Sequence, residues 1–276
     1  MARTHHLKLL LAQVPQSASL SENLNEIQSG MDAAKKARAD LLVFPECALT
    51  GYGPGRYSSP SEFDQAGLRR ALQEVRALTR RARVAVLLGT HLPADHSWTN
   101  SAILISPAGR RIARYDKAHL YGNDPDYYIP GDCAPEVKHV GRAKIGIQIC
   151  FDIRFPELFR RLALAGADVI LVPSFIHGTH DMWKRSVIES HVSSRAAENG
   201  RFVVFVNAAG RSQNVPSCVA DPHGIITHAA RRGARRFLDV ALDLREVNNR
   251  FLSNRRPQLY DSASPSDRPN RRTRHG

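Results

Sequence analysis

Cysteine is sparse in this chain of 276 residues, and lysine is scarce beside arginine. The four cysteines, Cys47, Cys133, Cys150 and Cys218, are irregularly spaced and form no CxxC pair. That excludes a disulfide framework and a thiolate zinc site, and it points to a reduced, cytoplasmic setting. No apolar run approaches the roughly 20 residues needed to cross a bilayer. The run Leu7 to Val14 is short and no small-residue cleavage site follows it, so it reads as a first strand and no membrane partner is expected. There is no HExxH, GxSxG, P-loop or GxGxxG context, which removes the common signatures of zinc peptidases, serine hydrolases and nucleotide binders. Of 39 basic residues only 7 are lysine, and the formal net charge is +13. The arginines are scattered without interleaved aromatics, so a solvated surface is expected and nucleic acid is not an expected partner. In a chain that otherwise chooses guanidinium groups, Lys117 keeps a compact ammonium.

What is present is ample apolar residue, 42% of the chain, enough for a large core. Strand patterns occur at Lys8–Pro15, Leu41–Glu46 and Val84–Leu92. A hairpin is expected over 99–106 and 110–117, turning at Pro107-Ala108-Gly109. Ser19 and Glu22 suggest a capped start to a helix with Leu24, Ile27, Met31 and Ala34 on one face. A second helix is expected over Ser61–Arg81. The order then starts again: strand 144–150, helix 156–164, strand 168–173, helix 181–199 and strand 202–208. Further strands are expected near 215–220, 225–230 and 236–242, and a short helix near 244–250. Two halves, each β-α-β-α-β with antiparallel strands after it, pack most simply with their bare sheet faces together. The fold class is therefore α/β, a four-layer α-β-β-α sandwich of two pseudo-symmetric halves. Residues 1–261 form that domain. Residues 262–276, made of Ser, Pro, Asp, Asn and Arg without apolar period, read as a basic, disordered tail.

Chemistry concentrates in AKIGIQICFDIRFPE, residues 143–157. An apolar strand ends on Cys150, and the chain then turns into a helix that Pro156 is suited to start. A thiol on such a turn sits among backbone N–H groups, which suits a nucleophile and its oxyanion. A buried, inert thiol is the plain alternative. Glu46 ends another apolar strand and Lys117 a third. Taken singly, Glu46 reads equally as an ordinary loop carboxylate, and Lys117 more readily as a solvated cation.

Together, VFPECALTGY, YDKAHLYG and CFDIRFPE resemble the three signature blocks of the carbon–nitrogen hydrolase (nitrilase) superfamily, and the resemblance spans residues 7 to about 260. It implies the four-layer fold, a homodimer or larger homo-oligomer, and Glu46, Lys117 and Cys150 as catalytic residues. Glu46 would be general base and acid, and Cys150 the nucleophile of a thioester intermediate. Lys117 and the Phe151 backbone N–H would hold the oxyanion. No metal or organic cofactor is implied. The family's second Glu has no identical match; Asp124 stands at its place, with Asp126 as the other choice. Phe151-Asp152 after the nucleophile, where nitrilases carry Trp-Glu, resembles the amidase and carbamoylase branches. The implied function is hydrolysis of a small amide or ω-amide to a carboxylate and ammonia. An N-carbamoyl amidohydrolase is the alternative, and a non-catalytic scaffold the reading from another class. Four smaller readings go with these. The Arg195–Asn199 block is expected to brace the fold, Cys47 to be a packed thiol, and His177–Asp181 to lie in a loop near the pocket; Trp183 either lines that pocket or anchors its helix, the anchor being preferred.

Overall fold

Apolar side chains alternate along the strands on both faces, a pattern stable only where both faces are covered. The computed structural model describes residues 5–94, 97–132, 134–178 and 183–259. Its first half runs β1 (His6–Gln13), α1 (Leu20–Ala37), β2 (Leu41–Val43), α2 (Gln65–Ala82), β3 (Ala85–Ala94), β4 (Ser97–Ile105) and β5 (Arg111–Asp116). The second runs β6 (Lys138–Val140), β7 (Ala143–Ile147), α3 (Pro156–Leu164), β8 (Val169–Ser174), α4 (Trp183–Ala197), β9 (Phe202–Asn207), β10 (Cys218–Ala220) and β11 (Ile226–Ala229). After β12 (Arg236–Asp243) comes the short helix α5 (Arg250–Ser253).

Two six-stranded sheets result, ordered β12-β1-β2-β3-β4-β5 and β11-β10-β9-β8-β7-β6. Leu9, Leu11, Val43, Leu87 and Leu104 of the first sheet share one buried cluster with Ile145, Ile147, Leu171 and Val204 of the second. That cluster is the seam between the sheets. On the far face of the first sheet, Leu10, Leu42 and Val86 pack with Ile27 and Met31 of α1 and Val75 of α2. On the far face of the second, Ile170, Val203 and Phe205 pack with Phe159 of α3 and Val192 of α4. The layers are therefore α-β-β-α, as the sequence pattern predicts.

Four details depart from that pattern. β12 does not extend the second half: it pairs antiparallel with β1, from His6↔Asp243 to Gln13↔Arg236. The alternation of an eight-residue strand says which face is apolar, not which edge it joins. The strand expected to run to Cys150 ends at Ile147, because Cys150 takes φ 46° and opens a 3-10 turn, Cys150–Arg154. α2 starts at Gln65, where Asp64 accepts the Gly67 N–H, and Pro60–Glu62 forms a separate 3-10 turn. β6 was not foreseen; its three residues are too short to carry a period. α3 begins at Pro156 as expected. Residues 262–276, Cys133 and residues 179–182 lie outside the described residues. Among the described residues no helix is long and apolar enough to cross a membrane.

Candidate active site

The loops after β2, β5, β7 and β8 leave the carboxyl ends of their strands at one place, where open α/β sheets commonly bind ligands. The first carries Glu46. Its turn lies directly on β3, where a Cβ at Gly89 would sit 2.2 Å from the Pro45 carbonyl oxygen and 2.5 Å from the Cys47 nitrogen. Only glycine leaves room for that approach. The second loop carries Lys117, whose backbone N–H donates to the Asn100 carbonyl on β4 at 2.8 Å. Gly131 packs in turn on Asp116 and donates its N–H to the Lys117 carbonyl at 2.9 Å.

Lys117 is 1% exposed and donates through Nζ to Glu46 Oε1 at 2.9 Å and to Asp124 Oδ2 at 2.7 Å. Asp124 also accepts the Tyr52 hydroxyl at 2.5 Å and the Tyr121 N–H at 3.0 Å. Asp126 is exposed, so of the two acidic candidates it is Asp124 that meets the lysine. Burial works to strip the Lys117 proton, but the charges of Glu46, Cys150 and Asp124 outweigh it and hold the ammonium well above its usual value. Burial raises Glu46 above the ordinary carboxylate range, against the pull of Lys117. Glu46 Oε1 accepts a further bond from Asn100 Nδ2 at 2.7 Å, while Oε2 has no hydrogen-bond partner among the described residues.

Cys150 opens its 3-10 turn in the left-handed region, a conformation that costs an L-residue about 1–3 kcal/mol. Asp152 holds the turn in place. Its Oδ2 accepts the Ile149 N–H at 3.1 Å and lies 2.9 Å from the Tyr115 hydroxyl. Its Oδ1 accepts the His119 N–H at 2.9 Å and meets His119 Nδ1 at 3.0 Å. From α4, Arg195 donates to the carbonyls of Ile153 and Arg154, bracing the same turn as expected. Burial, followed by the charge of Glu46, drives the Cys150 thiol well above its usual pKa, while Lys117 and the Phe175 backbone N–H pull the other way. Burial and the Glu46 charge both favour the thiol over the thiolate. Phe151 follows in the first turn, where N–H groups have no intrahelical acceptor.

Cys150, Phe151 and Lys117 line a cavity of about 180 Å³ with Tyr52, Arg154, Phe175 and Trp183 among its walls. Larger hollows of about 600 and 550 Å³ elsewhere contain none of the three predicted residues. Of the two readings of Trp183 the preferred anchor is corrected and the pocket one holds, since the side chain is 55% exposed at the cavity. Its helical position carried no signal for the direction of the ring. His177 is held by Ala208 O at 2.9 Å and Ser212 Oγ at 3.1 Å, so both ring nitrogens are engaged. Thr179, His180 and Asp181 lie outside the described residues. Cys47 is buried beside Asn100, a packed thiol as expected.

Sequence reasoning missed Asn100, Tyr52, Tyr115 and Phe175. Each acts by placement across β4, across the seam or through its backbone; Tyr52 and Tyr115 stand inside the VFPECALTGY and YDKAHLYG blocks, but nothing in those blocks gives their partners. The spacing of Asp152 two residues after Cys150 was a visible signal for a carboxylate that caps the turn.

A family model described as carbon–nitrogen hydrolase matches residues 9–249. A hydrolase in the pqqF 5' region of Pseudomonas protegens is 33% identical over 267 residues, covering 91% of this chain and 89% of that protein. An (R)-stereoselective amidase of Pseudomonas sp. is 32% identical over 250 residues, covering 87% and 86%. An amidase of the nitrilase superfamily from Nesterenkonia AN1 superposes with TM-score 0.82 at 25% identity, covering 94% of this chain and 97% of that one. A solved mutant of that amidase carries the acetamide moiety of fluoroacetamide covalently at its active site cysteine.

Proposed function

The chain belongs to the carbon–nitrogen hydrolase family, and from that premise we propose that it hydrolyses a small linear amide to a carboxylate and ammonia through a Cys150 thioester. One observation carries the reading. A thiol and an ammonium from two separate strand ends line a single small cavity, and a third strand end sets a buried carboxylate on that ammonium at 2.9 Å.

Cys150 Sγ attacks the amide carbon while its proton passes to Glu46, a carboxylate that burial has made more basic than usual. The carbonyl oxygen becomes an oxyanion. Lys117 has three N–H donors, of which Glu46 and Asp124 take two, and the third is free for that oxygen beside the Phe151 N–H. Each such donor contributes about 3 kcal/mol to lowering the barrier. Glu46 then gives its proton to the nitrogen, the C–N bond breaks and ammonia leaves. Water attacks the thioester as Glu46 takes a proton from it. The S–C bond breaks, the sulfur recovers the proton, and the acid departs.

The cavity is smaller than the roughly 300–1,000 Å³ that holds drug-sized ligands, which favours a short acyl group. Arg154 on its wall favours a substrate that also carries a carboxylate, as an ω-amide does. The test is ammonia release from a panel of neutral amides, ω-amides, N-carbamoyl compounds and nitriles, with Cys150→Ala as control. Release from amides alone, lost in the variant, supports the reading. Release from N-carbamoyl compounds alone replaces it with the carbamoylase alternative, and silence throughout sinks it.

A further inference from the structure

We propose that Asn100 is a positioning residue that decides which oxygen of the Glu46 carboxylate receives the Cys150 proton; this rests on the triad reading above. Asn100 lies on β4, 1% exposed, and no motif marks it. Its Nδ2 donates to Glu46 Oε1 at 2.7 Å, the same oxygen that Lys117 Nζ reaches at 2.9 Å. Its Oδ1 accepts the Cys47 thiol at 3.4 Å, and its carbonyl accepts the Lys117 N–H at 2.8 Å.

The orientation of the amide follows from these partners. A thiol faces one end and a carboxylate the other, so the oxygen must meet Cys47 and the NH₂ must meet Glu46. A flipped amide would set its carbonyl oxygen against the carboxylate. With two donors on Oε1, one of them an ammonium, that oxygen is the weaker base, and the carboxylate cannot rotate without breaking both bonds. Oε2, which has no hydrogen-bond partner among the described residues, is left to take the thiol proton. The same residue holds the backbone of Lys117 through its own backbone carbonyl, so one residue on β4 places base and cation relative to each other.

Iodoacetamide alkylation of Cys150 against pH reads this without a substrate, and kcat and KM on the best amide of the panel read it in turnover. Asn100→Ala removes the donor from Glu46, so the acid limb of Cys150 labelling moves upward by about one pH unit, the size of a hydrogen bond to a charged group. The isosteric Asn100→Asp replaces the donor by a like charge and moves it further. Cys47→Ala, which frees the amide to flip, moves it in the same direction by less. In Asn100→Ala, kcat falls about tenfold while KM holds, in keeping with a bond that orients the base. Melting temperatures identify variants that fail to fold, and Asn100→Asp keeps the shape of the side chain. A limb present in the parent protein but unmoved in both Asn100 variants overturns the proposal and leaves the triad standing. A KM that rises while kcat holds also overturns it. If Cys150 of the parent labels no faster than Cys47 or Cys218 at any pH, the triad reading fails and takes this with it.

Discussion

Lys117 Nζ and Glu46 Oε1 lie 2.9 Å apart, and neither side chain is more than 1% exposed. The lysine is also the neighbour of Asp124, so one buried cation serves two buried carboxylates. Removing one partner from such a buried cluster costs more than the cluster itself is worth, because the remaining charge stays out of water. Lys117→Met is expected to lose about 3–5 kcal/mol of stability. Asp124→Asn added to it should recover part of that loss by leaving one buried carboxylate instead of two. Urea unfolding of the three proteins checks this, and a double variant no more stable than the single contradicts it.

The pH behaviour follows from Glu46. Burial raises its pKa above the ordinary 4.5, and the Lys117 and Asn100 contacts limit the rise. In its proposed role as base it must be ionised, so the acid limb of kcat/KM should have its midpoint above 4.5. Lys117, held above 10.5, should bring no loss of rate through mildly alkaline pH. A group whose pKa is raised on folding contributes stability below its unfolded pKa and loses that contribution as pH rises through its folded pKa. The ionised Glu46 therefore costs stability at neutral pH. Glu46→Gln should abolish turnover yet melt higher than the parent at pH about 7, by roughly 1 kcal/mol per unit of pKa rise. The gap should close below pH 4.5. A variant that melts lower at neutral pH would mean that the Lys117 bond outweighs the burial cost.

The layers were legible because both faces of the strands carry apolar side chains, as in Leu9 and Leu10, and the helices have one apolar stripe each. The positions of Glu46, Lys117 and Cys150 at strand ends were legible from motif and order. Asp124 could be named but not separated from Asp126, since a carboxylate's side of a short turn leaves no period in sequence. Asn100 and Tyr115 were illegible for a related reason. Their partners stand 54 and 37 residues away, Glu46 for the first and Asp152 for the second, and only the assembled sheets bring them together. The pairing of β12 with β1 is longer in range still, and alternation alone does not choose an edge.

Asp152 gives a separate prediction, since it organises the nucleophile's turn without lying against the substrate-side groups. Asp152→Ala strands the buried Ile149 N–H, at a cost of about 1–3 kcal/mol, and frees the half-buried His119 N–H. Cys150 then loses its left-handed conformation. Alkylation of Cys150 should slow, or lose its pH dependence, while Cys218, remote on β10, is unaffected. Unchanged labelling of Cys150 with intact stability would remove Asp152 from the account.

The central claim is that Cys150 carries the acyl group. Intact-protein mass spectrometry after acid quench, during turnover of the preferred amide, tests it most directly. The account predicts an added acyl mass that maps to the peptide containing Cys150, is released by hydroxylamine and is absent in Cys150→Ala. Turnover by Cys150→Ala, or an acyl group mapped to another residue, would contradict it.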